Sequence, residues 1–150
     1  MEPTRKITES TVNLIKTFEG FRAHAYKDVG GLYTVGYGQQ DGVTEGMQVT
    51  VFEADQMLRQ KLARIAEEIA PIIRYECSEN QFSALCSLVY NIGVRAFKRS
   101  SLLKKLNEGS LDEAADQFLR WSFVDGKQVP GLLRRRRIER RVFLGLETCL

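Results

Sequence analysis

Phe18-Glu19-Gly20-Phe21-Arg22, continuing through Ala25-Tyr26-Lys27-Asp28-Val29-Gly30-Gly31-Leu32-Tyr33-Thr34-Val35-Gly36-Tyr37-Gly38, is where the hydrophobic period of the chain changes. Upstream, residues 8–19 read as a helix. Val12, Ile15 and Phe18, with Leu14 beside them, make one apolar face, and Thr8 or Ser10 can cap the start. Gly20 ends that helix. Residues 24–38 then read as a β-hairpin turning at Asp28-Val29-Gly30-Gly31. Tyr33, Val35 and Tyr37 alternate on one face, which sets Thr34 on the other. Residues 39–49 are polar and contain glycine, which suits a further strand or a loop.

Beyond this stretch the period is helical throughout. Thr50-Val51-Phe52-Glu53 is a capping box, and apolar residues at Val51, Ala54, Leu58, Leu62, Ile65 and Ile69 carry a helix to Pro71. At 1.5 Å per residue that helix is about 30 Å long, enough to join two lobes. Ser78-Glu79-Asn80-Gln81 is a second box, before Phe82, Leu85, Leu88, Val89 and Ile92. Ser100 or Ser101 precedes a short helix ending at Gly109. Ser110-Leu111-Asp112-Glu113 reads as a third box, opening a helix to about Trp121. Asp125-Gly126 is a turn, and Val129-Pro130-Gly131 introduces a last helix ending at Gly145. The fold class is therefore α+β, in one domain over 1–150. A hairpin lobe spans about 10–50, a connecting helix 50–70 and a helical lobe 71–150, with a cleft between the lobes.

The composition is that of a soluble globular protein, 43% hydrophobic and 27% charged. No run reaches the roughly 18 apolar residues of a transmembrane segment. Met1-Glu2-Pro3-Thr4-Arg5-Lys6 has no apolar stretch behind it, so no secretory signal is expected. Cys77, Cys86 and Cys149 match no metal spacing, and Cys86 falls on an apolar helical face as a buried thiol. With His24 as the lone histidine, a zinc site has few ligands to draw on. The net charge of +3 is uneven: residues 1–70 hold 8 Lys/Arg against 10 Asp/Glu, and residues 71–150 hold 14 against 9. A basic half suits an anionic partner, whether nucleic acid, lipid headgroups or a polyanionic cell wall.

Glu19 and Asp28 stand in contrasting places. Glu19 lies at a helix C-terminus, where orphan carbonyls carry negative charge, between Phe18 and Phe21, which can desolvate it; both influences favour a protonated acid. Asp28 opens a polar turn with backbone N–H groups to hand, which favours the anion. Two carboxyls pushed in opposite directions, with Thr34 nearby to hold a water, are the parts of a glycoside hydrolase.

Glu19, Asp28 and Thr34, in the frame Glu-x8-Asp-x5-Thr, resemble the catalytic signature of the phage-type lysozymes, the endolysins of T4-like and lambdoid phages. The resemblance continues in register through Gln81-Phe82-Ser83-Ala84-Leu85, Tyr90-Asn91-Ile92-Gly93, Ser100-Ser101-Leu102-Leu103, Ala114-Ala115-Asp116-Gln117-Phe118, Arg120-Trp121 and Pro130-Gly131-Leu132, covering roughly residues 10–146. It implies hydrolysis of the β-1,4 bond between N-acetylmuramic acid and N-acetylglucosamine in bacterial peptidoglycan, lysing the host cell. By matching position Glu19 is the proton donor, Asp28 the base or charge stabiliser, and Thr34 the holder of the water. Tyr90, Ser101 and Gln117 match positions lining the saccharide cleft, with Asn91 their neighbour. Tyr90 and Asn91 read equally well as packing at a helix end, Gln117 as a solvated position, and Trp121 as core.

The resemblance further implies no metal and no organic cofactor, a monomer, no nucleic-acid partner, and dependence on a holin for passage from the host cytoplasm to the wall. One departure stands out. Where the family has a histidine that pairs with an acid in the other lobe, this chain has Gln39, which cannot form an ion pair. In the run Arg134-Arg135-Arg136-Arg137-Ile138-Glu139-Arg140-Arg141 most arginines read as one solvated face. The other reading is that one arginine reaches Glu19 while the rest attract an anionic wall. The rivals to a hydrolase are a lytic transglycosylase, against which Asp28 and Thr34 argue, and a non-catalytic wall-binding module. For the hydrolase, inversion is expected, with the carboxyls about 6.5–9.5 Å apart.

Overall fold

The computed structural model describes residues 6–146; Cys149 and residues 1–5 lie outside that range. Helix α1 (Glu9–Glu19) is capped by Thr8, whose hydroxyl accepts from the Thr11 amide. Strands β1 (Arg22–Lys27) and β2 (Tyr33–Gly36) form an antiparallel hairpin with an irregularity between Arg22 and Tyr26. The segment after it is a loop that nonetheless hydrogen-bonds to the hairpin edge: the Ala25 amide donates to the Met47 carbonyl at 2.8 Å, and the Val49 amide to the Ala23 carbonyl at 2.9 Å.

Helix α2 (Val51–Ile69) begins with the expected reciprocal box, Thr50 with Glu53. Its buried stripe is Ala54, Leu58, Leu62, Ile65, Ala66 and Ile69. Val51, expected on that stripe, is instead 56% exposed, and the buried stripe begins at Ala54, which packs against Gly36 of the hairpin. A 3₁₀ turn at Ala70–Ile72 follows Ile69.

The centre of the molecule is α3 (Glu79–Ile92), opened by the Ser78/Gln81 box. Phe82 to Tyr90 are all buried, so this helix is enclosed on every side. It packs on α1, on α2 and on the last helix, α7 (Pro130–Phe143). Small polar residues permit the close approach: Ser83 meets Thr11 of α1 at 2.7 Å, and Ser87 donates to Glu139 of α7 at 2.6 Å. Cys86 is an unbridged thiol at the centre of this packing, and burial pushes its pKa up.

One local alternative is resolved and two local expectations are corrected. A five-residue helix, α4 (Val94–Lys98), follows Gly93, and α5 (Ser101–Asn107) starts from Ser100 as its cap. Ser110 precedes α6 (Leu111–Gln117) but makes no side-chain cap bond, so the Ser110–Glu113 spacing is no capping box; the ψ of 74° at Ser110 departs from the extended cap conformation seen at Ser78 and Thr50. The helix expected to reach Trp121 ends at Gln117 and tightens to 3₁₀ over Phe118–Ser122, with Trp121 itself outside helical geometry. The Asp125-Gly126 turn closes a second hairpin, β3 (Phe123–Val124) with β4 (Lys127–Gln128). Both turn residues have positive φ, 51° and 78°, the type I′ pattern that Asp-Gly favours. Two-residue strands are too short to show alternation in the sequence.

Candidate active site

The C-terminus of α1, the hairpin, α2 and the end of α3 enclose a cleft of about 430 Å³. Glu19, Asp28 and Thr34 all line it. Glu19 is the last residue of α1; Gly20, at φ 67°, donates its amide to the Lys16 carbonyl and redirects the chain into the hairpin. The two oxygens of the Glu19 carboxyl have different surroundings. Arg135 Nη1 lies 2.8 Å from Oε1. On the other side Gly38, at φ 77°, leaves the space that Oε2 occupies: a Cβ there would stand 2.6 Å from that oxygen. Gly38→Ala therefore displaces the carboxyl and strains the backbone. Catalytic activity is expected to fall at least tenfold, with a lower melting temperature, about 1 kcal/mol of the loss coming from the positive-φ backbone alone. Activity assays and thermal melts check this; an alanine variant with native activity would mean that Oε2 does not need the seat.

Arg135 is placed by α7, one turn past the Pro130-Gly131 start. Its guanidinium spans Glu19, Glu139 Oε2 at 3.2 Å and the Ser87 carbonyl at 3.0 Å, and it stacks 4.7 Å from the centroid of the Phe18 ring. Arg136 joins from the next position. It donates to Glu139 Oε1 at 2.8 Å, to the Trp121 carbonyl at 2.8 Å and to the side chain of Asn91. Arg136 is 1% exposed and Glu139 0%. The arginine run is thus two things at once: Arg134, Arg137 and Arg141 face solvent, whereas Arg135 and Arg136 form a buried network that ends on Glu19. The sequence offered a helix terminus and two phenylalanines around Glu19, and one arginine of the run as a partner; that arginine is Arg135. The guanidinium of Arg135 is thus the positive neighbour of the Glu19 carboxyl.

Asp28 is held by neutral donors. The Leu32 amide donates to Oδ1 at 2.9 Å, closing the turn, and Gln40 Nε2 donates to Oδ2 at 2.7 Å. The same Gln40 nitrogen lies 3.4 Å from Thr34 Oγ1. Thr34 is 4% exposed and its hydroxyl faces the Leu32 carbonyl at 3.4 Å. One amide group therefore ties Asp28 and Thr34 together. Sequence reasoning passed over Gln40; the available signal was its position directly after the hairpin, six residues from Thr34.

The remaining candidates divide. Tyr90 lines the cleft but its hydroxyl is committed, donating to the Tyr37 carbonyl at 2.5 Å and accepting from Gln39 Nε2. Burial, reinforced by the Glu19 charge, pushes the Tyr90 phenol pKa up. Gln39 thus joins the hairpin to α3 by a neutral hydrogen bond, so the ion pair it cannot make is replaced. Asn91 lines the cleft and also accepts from Arg136. Ser101 is exposed at the first turn of α5 and Gln117 half-buried at the end of α6, and neither lines this cleft. Trp121 packs against the core and His24 is exposed on β1. Lys61 of α2, unmarked in the sequence, lines the cleft beside Tyr90. No group of three or more possible metal-ligating side chains occurs among the described residues.

Two carboxyls facing one cleft, one gripped by a cation and one by neutral donors, with a buried hydroxyl beside the second, suit acid–base cleavage of a glycosidic bond. Comparison with known proteins agrees. The family model described as phage lysozyme matches residues 16–139. The chain is 40% identical over 141 residues to an endolysin of Acyrthosiphon pisum secondary endosymbiont phage 1, covering 91% of this chain and 97% of that one. It is 39% identical to an endolysin of Bacillus phage B103, covering 92% of this chain but spanning about half, 54%, of the relative's length. Among solved structures it is similar to the muramidase domain of SpmX from Asticaccaulis excentricus, with a TM-score of 0.86 and 38% identity over 93% of this chain and 97% of that one.

Proposed function

Since this chain belongs to the phage lysozyme family, we propose that it is an endolysin hydrolysing the β-1,4 bond between N-acetylmuramic acid and N-acetylglucosamine in bacterial peptidoglycan. The observation that carries this reading is the shared cleft of Glu19, Asp28 and Thr34 with unlike partners on the two carboxyls. Glu19 gives its proton to the leaving oxygen. Oε2 is the atom for that task, because Oε1 is engaged by Arg135. As the bond to the departing sugar breaks, positive charge develops on the ring, and the Asp28 carboxylate stabilises it while drawing a proton from the attacking water. Thr34 Oγ1 supplies the second contact to that water. Tyr90 and Asn91 border the saccharide path; Ser101 and Gln117 serve more distant sugars or none.

The chain acts as one catalytic unit, a monomer, needing no cofactor. It reaches the wall from the host cytoplasm after a holin opens the membrane, and wall breakdown lyses the host.

Product analysis on soluble glycan strands tests the reaction class. Inversion gives the α anomer first, visible by proton NMR before mutarotation. The β anomer would replace direct attack by a covalent intermediate. Products ending in 1,6-anhydro sugars, seen by mass spectrometry, would replace the hydrolase by a transglycosylase.

A further inference from the structure

Lys61 projects from α2 into the cleft, where its ammonium lies 4.4 Å from the centroid of the Tyr90 ring. That ring is fixed, since the Tyr90 hydroxyl is bound to the Tyr37 carbonyl and to Gln39. The lysine head is therefore carried on a firm aromatic floor. Two acids attract it through space, Asp41 and Glu19. Both are directed elsewhere, Asp41 towards Arg64 at 4.0 Å and Glu19 onto Arg135 at 2.8 Å. Among the described residues no carboxylate is within ion-pair reach of Lys61. Lys61 is half-buried against the cleft wall, and this partial desolvation pulls its pKa down. A cation that has lost part of its water without gaining a counter-ion favours the arrival of an anion.

The reacting atoms of the polymer are neutral: hydroxyls, acetamides and the glycosidic oxygen. Its anions are carboxylates on the peptide-bearing lactyl substituent of the muramyl sugar. Resting on the muramidase reading, we infer that Lys61 is a specificity-determining contact for a carboxylate of that substituent, separating the anionic wall polymer from a neutral polymer of N-acetylglucosamine. The competing role is through-space support of the charges on Glu19 and Asp28, which would act on every substrate alike.

The experiment uses the full chain and soluble, uncrosslinked glycan strands carrying their peptides. One batch keeps its carboxylates; in the other they are converted to methyl amides by carbodiimide coupling. For the wild type, kcat/KM is expected to fall about tenfold on blocking, mostly through KM, as befits one charge-assisted hydrogen bond. In Lys61→Met the ratio between the two batches falls to about one. Lys61→Arg, which keeps the charge, restores most of the wild-type ratio, and thermal melts confirm that both variants are folded. Equal loss on the two batches in Lys61→Met overturns the inference in favour of through-space support, as does a wild type indifferent to blocking. A wild type that cuts neither batch defeats the muramidase reading itself, and is told apart by that.

Discussion

Glu19→Gln is expected to abolish clearing of cell-wall suspensions, with kcat on soluble strands reduced by about 10³-fold or more. A positioned general acid contributes on the order of 10²–10⁴, and an amide has no proton to give. The substitution is conservative in every other respect. A Gln carbonyl can still accept from Arg135 Nη1, which lies 2.8 Å from Oε1 in the native protein. Arg135 keeps its bonds to Glu139 and to the Ser87 carbonyl, so the buried network stays satisfied. Gly38 still leaves room for the second terminal atom. Stability is therefore expected within about 1 kcal/mol of the wild type, the usual worth of one altered hydrogen bond. Activity without the acid, at more than about a tenth of the native rate, would remove Glu19 from the role of proton donor. Loss of activity together with loss of the folded state would leave the comparison to a milder variant, Glu19→Asp. Its shorter side chain retains the proton but falls short of the leaving oxygen, so a reduced but measurable rate is expected there.

What the sequence disclosed about this site follows from the range of the interactions involved. The α1 cap at Thr8, the Thr50/Glu53 and Ser78/Gln81 boxes and the Asp28–Gly31 turn are all closed within four residues, by side chains whose chemistry names the geometry. These were readable, as was the placement of Glu19 at a helix end and of Thr34 on the hairpin. Ser110 shows the limit of that reasoning, because the same residue types at the same spacing make no cap when the backbone departs from the extended form. The contacts that assemble the site span far greater separations. Arg135 reaches Glu19 across 116 positions, and Tyr90 reaches Tyr37 across 53. Nothing in Arg134-Arg135-Arg136-Arg137 tells which two guanidinia turn inward. That depends on α7 docking against α3, with Glu139 on the buried side and Ser87 small enough to admit it. Gln40 and Lys61 escaped for a related reason: a neutral amide and a surface-type lysine carry no pattern, and become informative only once the hairpin and α2 are set around the cleft.

Glu139 is the residue whose removal should cost most in stability. It is 0% exposed and accepts from Ser87, Arg135 and Arg136. Glu139→Gln keeps the shape and removes the charge, leaving two adjacent buried guanidinia with Glu19 as the remaining acid in contact. Breaking a buried pair from one side costs about 3–5 kcal/mol, because a desolvated charge is left uncompensated. For a chain of this size that corresponds to a fall in Tm of roughly 6–20 °C. Activity should fall too, since Arg135 would shift and carry the Glu19 carboxyl with it. The two consequences can be separated. Replacing a buried ion pair by apolar side chains is often neutral or stabilising, so Glu139→Leu combined with Arg136→Met is expected to regain much of the lost stability. Arg135 in that double variant still has Glu19 and the Ser87 carbonyl as partners. If its activity also returns, Glu139 acts by neutralising Arg136; if stability returns without activity, Glu139 acts by aiming Arg135 at Glu19. A Glu139→Gln protein that melts with the wild type would show instead that water reaches both guanidinia and that the network holds neither the fold nor the acid in place.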